Sequence, residues 1–227
     1  MKWLWVACVA MVLAVAAACG GSEKAAPVLS DADLKNIVIV TSEGLPAPLT
    51  LQSDAATANA QAAGAFADPQ KWAANYQKWG RTGGHEATFS VAGGQDAAAQ
   101  TQAESYKTTG GAKDALSGLR DFMTSGEALA VYTKLGYTDA KIDLVDAAKV
   151  GEDSSSYRLR VSYQGSQFDT LVIIFRRGPV LAQASIGGTT DASDFTSVAA
   201  LASQMDARIQ AVLSGQSATP QGTPQGN

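Results

Sequence analysis

The sequence predicts an α+β fold in which helices pack on a single antiparallel sheet, with a long amphipathic helix at the C-terminal end. Apolar and polar residues alternate over 156–163, which is the period of a half-buried strand. The connections at 164–166 and 177–179 are too short for a parallel crossover, so the strands they join must be antiparallel neighbours. Residues 191–213 carry apolar side chains at steps of three and four, the spacing of an amphipathic helix.

The strands of the C-terminal half have the clearest sequence patterns. The run "FDTLVIIFRR" is apolar throughout 171–175, as expected for a central strand covered on both faces. The helix that follows should dock on this sheet through Phe195, Met205 and Ile209. The predicted strands of this half are 141–146, 156–163, 168–177 and 179–187.

The N-terminal half alternates extended and helical segments. A helix is predicted over 68–80, because Asp68 can cap it, Pro69 suits the first helical position and Gly80 suits the end. Residues 31–40 fit either a short helix running into a strand or one buried strand. The remaining predictions are extended chain at 47–57, a strand at 85–92, extended chain around 99–108, and helices at 111–123 and 126–136.

Residues 1–18 have the three parts of a secretory signal peptide: Lys2, an apolar run and small residues before a cleavage point. The following "AAAC" resembles the lipobox of bacterial lipoproteins, although Ala16 stands where that family usually carries Leu, Val or Ile. The resemblance implies cleavage before Cys19 and a lipid on its thiol. Ordinary secretion with cleavage nearby and a retained membrane helix are the alternatives.

The sequence therefore divides into a signal peptide (1–18), a lipidated N-terminus and tether (19–30), a globular domain (31–213) and a disordered tail (214–227). The chain has two cysteines, Cys8 and Cys19, so the processed domain would fold without disulfides. The expected location is the extracytoplasmic side of the cell membrane, with the membrane as a partner through the lipid on Cys19.

The order of elements, with "IIFRRGPVLAQASIGG" followed by a long helix, resembles PsbP-like or PknH-sensor-like domains of bacterial surface lipoproteins. The resemblance covers about the last 80 residues and carries no catalytic motif. The cysteine pairs expected in a PknH-type sensor domain are absent from this chain.

Few residues suggest catalytic or metal chemistry. His85 is the only histidine, so a histidine-rich metal site is excluded and any Ser/His/Asp triad would need this residue. We expect it to be an imidazole at the edge of the core that donates to a nearby carbonyl; a catalytic base and a pH-responsive contact are alternatives. The acidic clusters at 31–33, 143–146 and 151–153 lack the pattern of a calcium loop. No catalytic residue, metal ligand or cofactor is predicted.

Four glycine pairs lack the spacing of a phosphate-binding loop. They are predicted to be turn residues, at 83/84, 93/94, 110/111 and 187/188.

The candidate ligand contacts are an aromatic stripe on the helix 68–80, formed by Trp72, Tyr76 and Trp79, and Arg81 beside it. Such a stripe packs in a core or, if exposed, stacks on sugar rings or lies in a lipid interface. The solvent exposure of the two tryptophans distinguishes these interpretations.

The charge pattern excludes a nucleic-acid partner. The formal net charge is −4, or −5 without Lys2, and no stripe of Lys and Arg is present. The function predicted first is a lipid-anchored, non-catalytic envelope module that binds a protein, a glycan or a small apolar ligand. The alternatives are an accessory or sensor-like subunit of an envelope complex, and an extracytoplasmic enzyme whose pocket would contain His85 or convergent carboxylates.

Overall fold

The structure is a computed structural model that describes residues 26–41, 45, 49–91, 97–147, 149–189 and 195–216. Within these residues lie seven strands and six helices. The strands are β1 (Leu49–Thr57), β2 (Arg81–Val91), β3 (Ala97–Tyr106), β4 (Thr138–Val145), β5 (Asp153–Tyr163), β6 (Ser166–Arg177) and β7 (Val180–Thr189). The helices are α1 (Asp31–Ile37), α2 (Asn59–Gly64), α3 (Pro69–Trp79), α4 (Thr109–Thr124), α5 (Glu127–Lys134) and α6 (Phe195–Leu213).

The seven strands form one sheet in the order β1-β2-β3-β7-β6-β5-β4. Every neighbouring pair is antiparallel, which confirms the predicted fold class. The β5–β6 turn contains Gln164 and Gly165 at φ values of 50° and 84°, the two positive φ angles that a tight two-residue hairpin requires. The two halves of the chain meet where β3 pairs with β7.

One face of the sheet, here called the α6 face, is covered by α1 and α6. Met205 and Ile209 are fully buried there, as predicted, because they lie on the helix stripe that faces β6 and β7. The side chain of Phe195 lies outside the described residues.

The opposite face, here called the α3 face, carries a second core made with α2, α3 and α4, while α5 packs beside α4 and β4. The central strand β6 is therefore buried on both sides. Its residues Leu171 to Phe175 are all at most 9% exposed, as its continuous apolar sequence predicts.

Local signals define the helix ends. Asp68 accepts a hydrogen bond from the Lys71 amide at the start of α3, and Gly80 ends this helix in the left-handed conformation. In α1, Ser30 and Asp33 form a reciprocal capping box, so the ambiguous segment 31–40 begins as a helix, while the strand expected in both alternatives does not form at 38–40. The short helix α2 was not predicted.

The prediction that the glycine pairs are turn residues is wrong for three of the four pairs. The pair 83/84 lies in β2, the pair 110/111 at the start of α4 and the pair 187/188 in β7. The fourth pair, 93/94, lies outside the described residues. In each of these pairs one glycine allows a close approach: a Cβ on Gly111 would lie 2.1 Å from the Trp79 carbonyl oxygen, and one on Gly84 would lie 2.3 Å from an Arg81 nitrogen.

The predicted signal peptide, Cys19 and most of the predicted tail lie outside the described residues. Ala26, in the predicted tether, donates its amide hydrogen to the Lys107 carbonyl at 3.1 Å, so this stretch contacts the folded domain before α1 begins. In the part of the chain that the structure describes, no helix is long and apolar enough to span a bilayer.

Candidate ligand-binding cavity

A cavity of about 330 Å³ lies on the α3 face, between the sheet and helices α2, α3 and α4. This volume is at the lower end of the range of about 300–1,000 Å³ that is typical of small-molecule sites. The cavity combines a polar floor with apolar walls. Its size and its mixed chemistry make it the candidate functional site.

The floor consists of long polar side chains on three adjacent strands. Glu86 of β2 pairs in register with Gln102 of β3, and Gln102 pairs with Gln183 of β7. Because directly paired residues point to the same side of a sheet, these three side chains form one cross-strand row on the α3 face. Gln100 and Glu104 flank the row on β3.

The walls come from the helices and from the neighbouring apolar part of the sheet. They comprise Phe66, Tyr76, Leu119, Ile174 and Leu181. Phe66, which follows α2, stacks on Trp72 of α3 with ring centroids 3.6 Å apart and an angle of 12° between the planes. This stack supports the wall from behind, since Trp72 itself is buried in the second core.

A buried ion pair supports one end of the floor. Arg81 Nε lies 3.0 Å from Glu104 Oε1, and both side chains are almost completely buried. The other guanidinium nitrogens of Arg81 donate to the Thr57 carbonyl and hydroxyl and to Asn59 Oδ1, at 2.7–3.1 Å. Arg81 thereby connects the end of β1 and the start of α2 to β3.

The two buried tyrosines at this end remain protonated over a wide pH range. Tyr106 donates its hydroxyl hydrogen to Glu104 Oε2 at 2.7 Å. Burial raises the pKa of Tyr106 well above its usual value, and the nearby charge of Glu104 raises it further. Burial, with a smaller contribution from Glu104, also raises the pKa of Tyr76. Glu104 is thus held by a cation and a phenol from within the protein.

Hydrogen bonds orient the amide side chains of the floor. Gln102 Nε2 donates to Glu104 Oε1 at 3.3 Å, and Gln183 Nε2 donates to Gln100 Oε1 at 3.5 Å. The half-buried Glu86 makes no hydrogen bond or ion pair with any described residue. The floor therefore presents acceptor oxygens that are available to a ligand.

The four candidate ligand contacts predicted from the sequence lie close together but in different environments. Trp72 and Trp79 are only 3% and 8% exposed, which agrees with the core-packing interpretation and not with an exposed stacking platform. Tyr76 lines the cavity, whereas Arg81 lies behind it with protein partners. Contact between these residues and a ligand stays a prediction.

His85 lies on the α6 face, across the sheet from the cavity. Its Nε2 lies 2.6 Å from Asp54 Oδ1 and its Nδ1 lies 3.0 Å from Asp31 Oδ1. The expected carbonyl partner is thus replaced by two carboxylates, because α1 and β1 bring Asp31 and Asp54 to this strand end. Lys35, and to a smaller extent His85, lowers the pKa of Asp54.

The polar floor was missed in the sequence, although a signal was present. In "AQTQAESYKT" the residues Gln100, Gln102 and Glu104 alternate with Ala99, Thr101 and Ala103. This pattern indicates a polar strand face, and such a face is ordinarily assigned to solvent. The helices that cover it are what convert it into a cavity floor.

No group of His, Cys, Asp or Glu side chains that could hold a metal ion occurs among the residues that the structure describes.

Comparison with known proteins identifies no family. No protein-family model matches the chain, and no curated protein matches it. Among solved structures, the extracellular domain of PknH from Mycobacterium tuberculosis is similar with 12% sequence identity and a TM-score of 0.48, over 83% of this chain and 98% of that one. A likeness of this strength supports no conclusion about function. The fold and the cavity define an α+β protein with a polar-floored cavity between sheet and helices.

Proposed function

We propose that this protein is a lipid-anchored component of the cell envelope that binds a small molecule in the cavity between the sheet and helices α2, α3 and α4. The observation that carries the proposal is the cavity of about 330 Å³, with acceptor side chains on its floor and apolar side chains on its walls. Such a combination is typical of a ligand site, in which apolar walls supply affinity and a few polar groups fix orientation.

Binding is favoured over catalysis by the arrangement of the titratable groups. The only histidine lies on the other face of the sheet, with carboxylates at both ring nitrogens. Of the two cavity carboxylates, Glu104 is occupied by Arg81 and Tyr106. Glu86 alone does not form a general acid and base pair, which would require a second free group.

Anchoring is supported by the sequence of the N-terminus. The run of small residues before Cys19 resembles a lipobox, and a diacylglyceryl group on this cysteine would supply the two acyl chains that stable anchoring requires. Cys19 is only seven residues before Ala26, which contacts the domain, so an anchor on Cys19 would keep the domain close to the bilayer.

Mass spectrometry of the N-terminal peptide from membrane fractions tests the anchor. The expected result is a peptide that begins at Cys19 and carries a diacylglyceryl thioether. A Cys19→Ser variant should retain residues 1–18 or be released after cleavage elsewhere. An unmodified N-terminus, or one that begins at another residue, would falsify the anchor.

Saturation-transfer NMR with hexan-1-ol tests the cavity. We expect transfer from the protein to the alcohol, and its loss in Ala65→Trp, because Ala65 lines the cavity and a tryptophan there would fill it. The matched control is Ala67→Trp, an exposed alanine in the same connection that does not line the cavity. Equal transfer in both variants would place the bound alcohol elsewhere.

A further inference from the structure

We infer that the cavity takes an organic primary amine in its ammonium form, with the NH₃⁺ group on the row of Glu86, Gln102 and Gln183 and the hydrocarbon part against the apolar wall. The inference rests on the proposed ligand-binding function and adds the chemical class of the ligand.

The register of the sheet supplies the geometry. Glu86, Gln102 and Gln183 are paired across β2, β3 and β7, so their side chains leave the same face at successive strand spacings. Adjacent strands lie about 4.8 Å apart, so the three attachment points span about 10 Å. Flexible side chains of this length can converge on one group placed above the middle strand.

The hydrogen bonds within the floor leave acceptor oxygens that such a group can use. Gln102 uses its NH₂ group toward Glu104, and Gln183 uses its NH₂ group toward Gln100. Each of the two amides keeps a carbonyl oxygen, which can only accept a hydrogen bond, together with one further N–H. Together with the Glu86 carboxylate they offer three acceptors, and a primary ammonium offers three donors and no acceptor.

The charges select a cation over a neutral donor. Among the described residues that line the cavity there are two carboxylates and no lysine or arginine. Arg81, behind the floor, compensates Glu104. The carboxylate of Glu86 has no such partner among the described residues. An ammonium would supply the missing charge and form charge-assisted hydrogen bonds, which are stronger than neutral ones, whereas an anion would be repelled.

The apolar walls of the cavity indicate the chemical nature of the rest of the ligand. Phe66, Leu119 and Leu181 offer apolar surface opposite the acceptor row. This surface favours a short aliphatic or aromatic body on the amine, since burial of each methylene stabilises the complex.

The experiment compares three six-carbon probes by titration with the full domain at pH 7: hexylamine, hexan-1-ol and hexanoate. An alkylamine is protonated at this pH, as a lysine side chain is. We expect hexylamine to bind about tenfold more tightly than hexan-1-ol, and hexanoate to bind most weakly. In Glu86→Gln the preference for the amine should disappear while the affinity for hexan-1-ol is unchanged, which also shows that the cavity is intact.

The control is Asp114→Asn, which removes the same charge from an exposed position of α4 outside the cavity and should leave the preference unaltered. If Glu86→Gln does not fold, Gln183→Leu removes one acceptor and should reduce the preference.

The two proposals fail in different ways. If hexylamine and hexan-1-ol bind the unmodified protein equally, or if the preference survives in Glu86→Gln and Gln183→Leu, the amine inference is overturned and the cavity remains a binding site. If none of the three probes binds, the proposed ligand-binding function fails with it.

Discussion

Arg81 shows how one buried side chain can hold together the elements around a cavity. Its guanidinium is buried against Glu104, Thr57 and Asn59, and it lies over the ring of Tyr76 at 5.1 Å. The sequence suggested a cation beside an aromatic stripe and hence a ligand contact. In the structure Arg81 connects β1, α2, α3 and β3 around the cavity, and its contact with a ligand stays a prediction.

Replacement of this residue should be strongly destabilising. Arg81→Met leaves the Glu104 carboxylate buried without its cation, and loss of one member of a buried pair costs about 3–5 kcal/mol. Chemical denaturation would measure the change. The control Lys71→Met removes one member of the exposed Lys71–Glu127 pair and should have little effect. If Arg81→Met with Glu104→Met were no more stable than Arg81→Met alone, the unpaired carboxylate would not be the cause.

Because of the buried tyrosines, the free energy of unfolding should fall at alkaline pH. Burial raises the pKa of Tyr76 and Tyr106 in the folded protein above the unfolded value of about 10. The stability associated with their neutral forms is fully present below pH 10. It is lost as pH rises from there toward the folded-state pKa, because the unfolded chain then releases protons that the folded chain retains.

An alkaline titration followed at 295 nm, where phenolate absorbs, should therefore show Tyr76 and Tyr106 ionising only together with unfolding. In guanidinium chloride all tyrosines should titrate near pH 10. Replacement of each by phenylalanine identifies its contribution to the delayed step. Complete ionisation near pH 10 with the native circular dichroism intact would contradict the burial of these hydroxyl groups.

Helix α6 illustrates an element that is predictable because its environment is simple. It packs one stripe on one sheet face, so its apolar spacing is visible directly in the sequence. Neighbouring positions of this helix differ completely in burial: Met205 is fully buried and Gln204 is exposed.

This contrast provides a matched pair of variants. Met205→Asp buries an unpaired carboxylate and should destabilise the protein by several kcal/mol. Gln204→Asp introduces the same residue one position earlier on the exposed side and should change the free energy of unfolding by less than about 0.5 kcal/mol. Thermal melting or denaturant titration measures both. Similar melting of the two variants would show that the docked face has been wrongly assigned.

Sequence patterns predicted the ends of α3 but neither the helix α2 nor the positions of the glycine pairs. The caps of α3 were visible because Asp68, Pro69 and Gly80 act on the adjacent backbone. The helix α2 was missed because "NAQAAG" has no apolar period and its Ala63 packs against the rings of the second core. The glycine pairs were misplaced, since the groups they must accommodate, such as the Trp79 carbonyl near Gly111, belong to distant parts of the chain.

In the whole molecule, two sets of polar groups lie on opposite faces of the sheet. His85, with Asp31 and Asp54, joins α1 and β1 to β2 on the α6 face. The acceptor row of the cavity lies on the α3 face. Stability contributed by the first set should therefore be separable from ligand binding by the second.

His85→Ala tests this separation. It removes the hydrogen-bonding partner of two carboxylates, so we expect a loss of about 1–3 kcal/mol of stability. Binding of hexan-1-ol in the cavity should be unchanged at a temperature where the variant is folded. The comparison variant Ala65→Trp should have the opposite profile, with binding lost and stability largely retained. Loss of binding in folded His85→Ala would show that the two faces are coupled.

Patterns in the sequence are enough to predict the antiparallel sheet, the turns between β5, β6 and β7, the capped helix α3 and the burial of Met205 and Ile209. These features depend on alternation, helical spacing and backbone preference, which act between residues near each other in the chain. Three other features depend on packing between distant segments. Trp72 and Trp79 are buried, His85 lies between two carboxylates, and the side chains of Glu86, Gln102 and Gln183 form one row beneath a cavity. The reason is physical: the order β1-β2-β3-β7 brings strands far apart in sequence into register, and the helices that cover a polar strand face decide whether it meets solvent or a ligand.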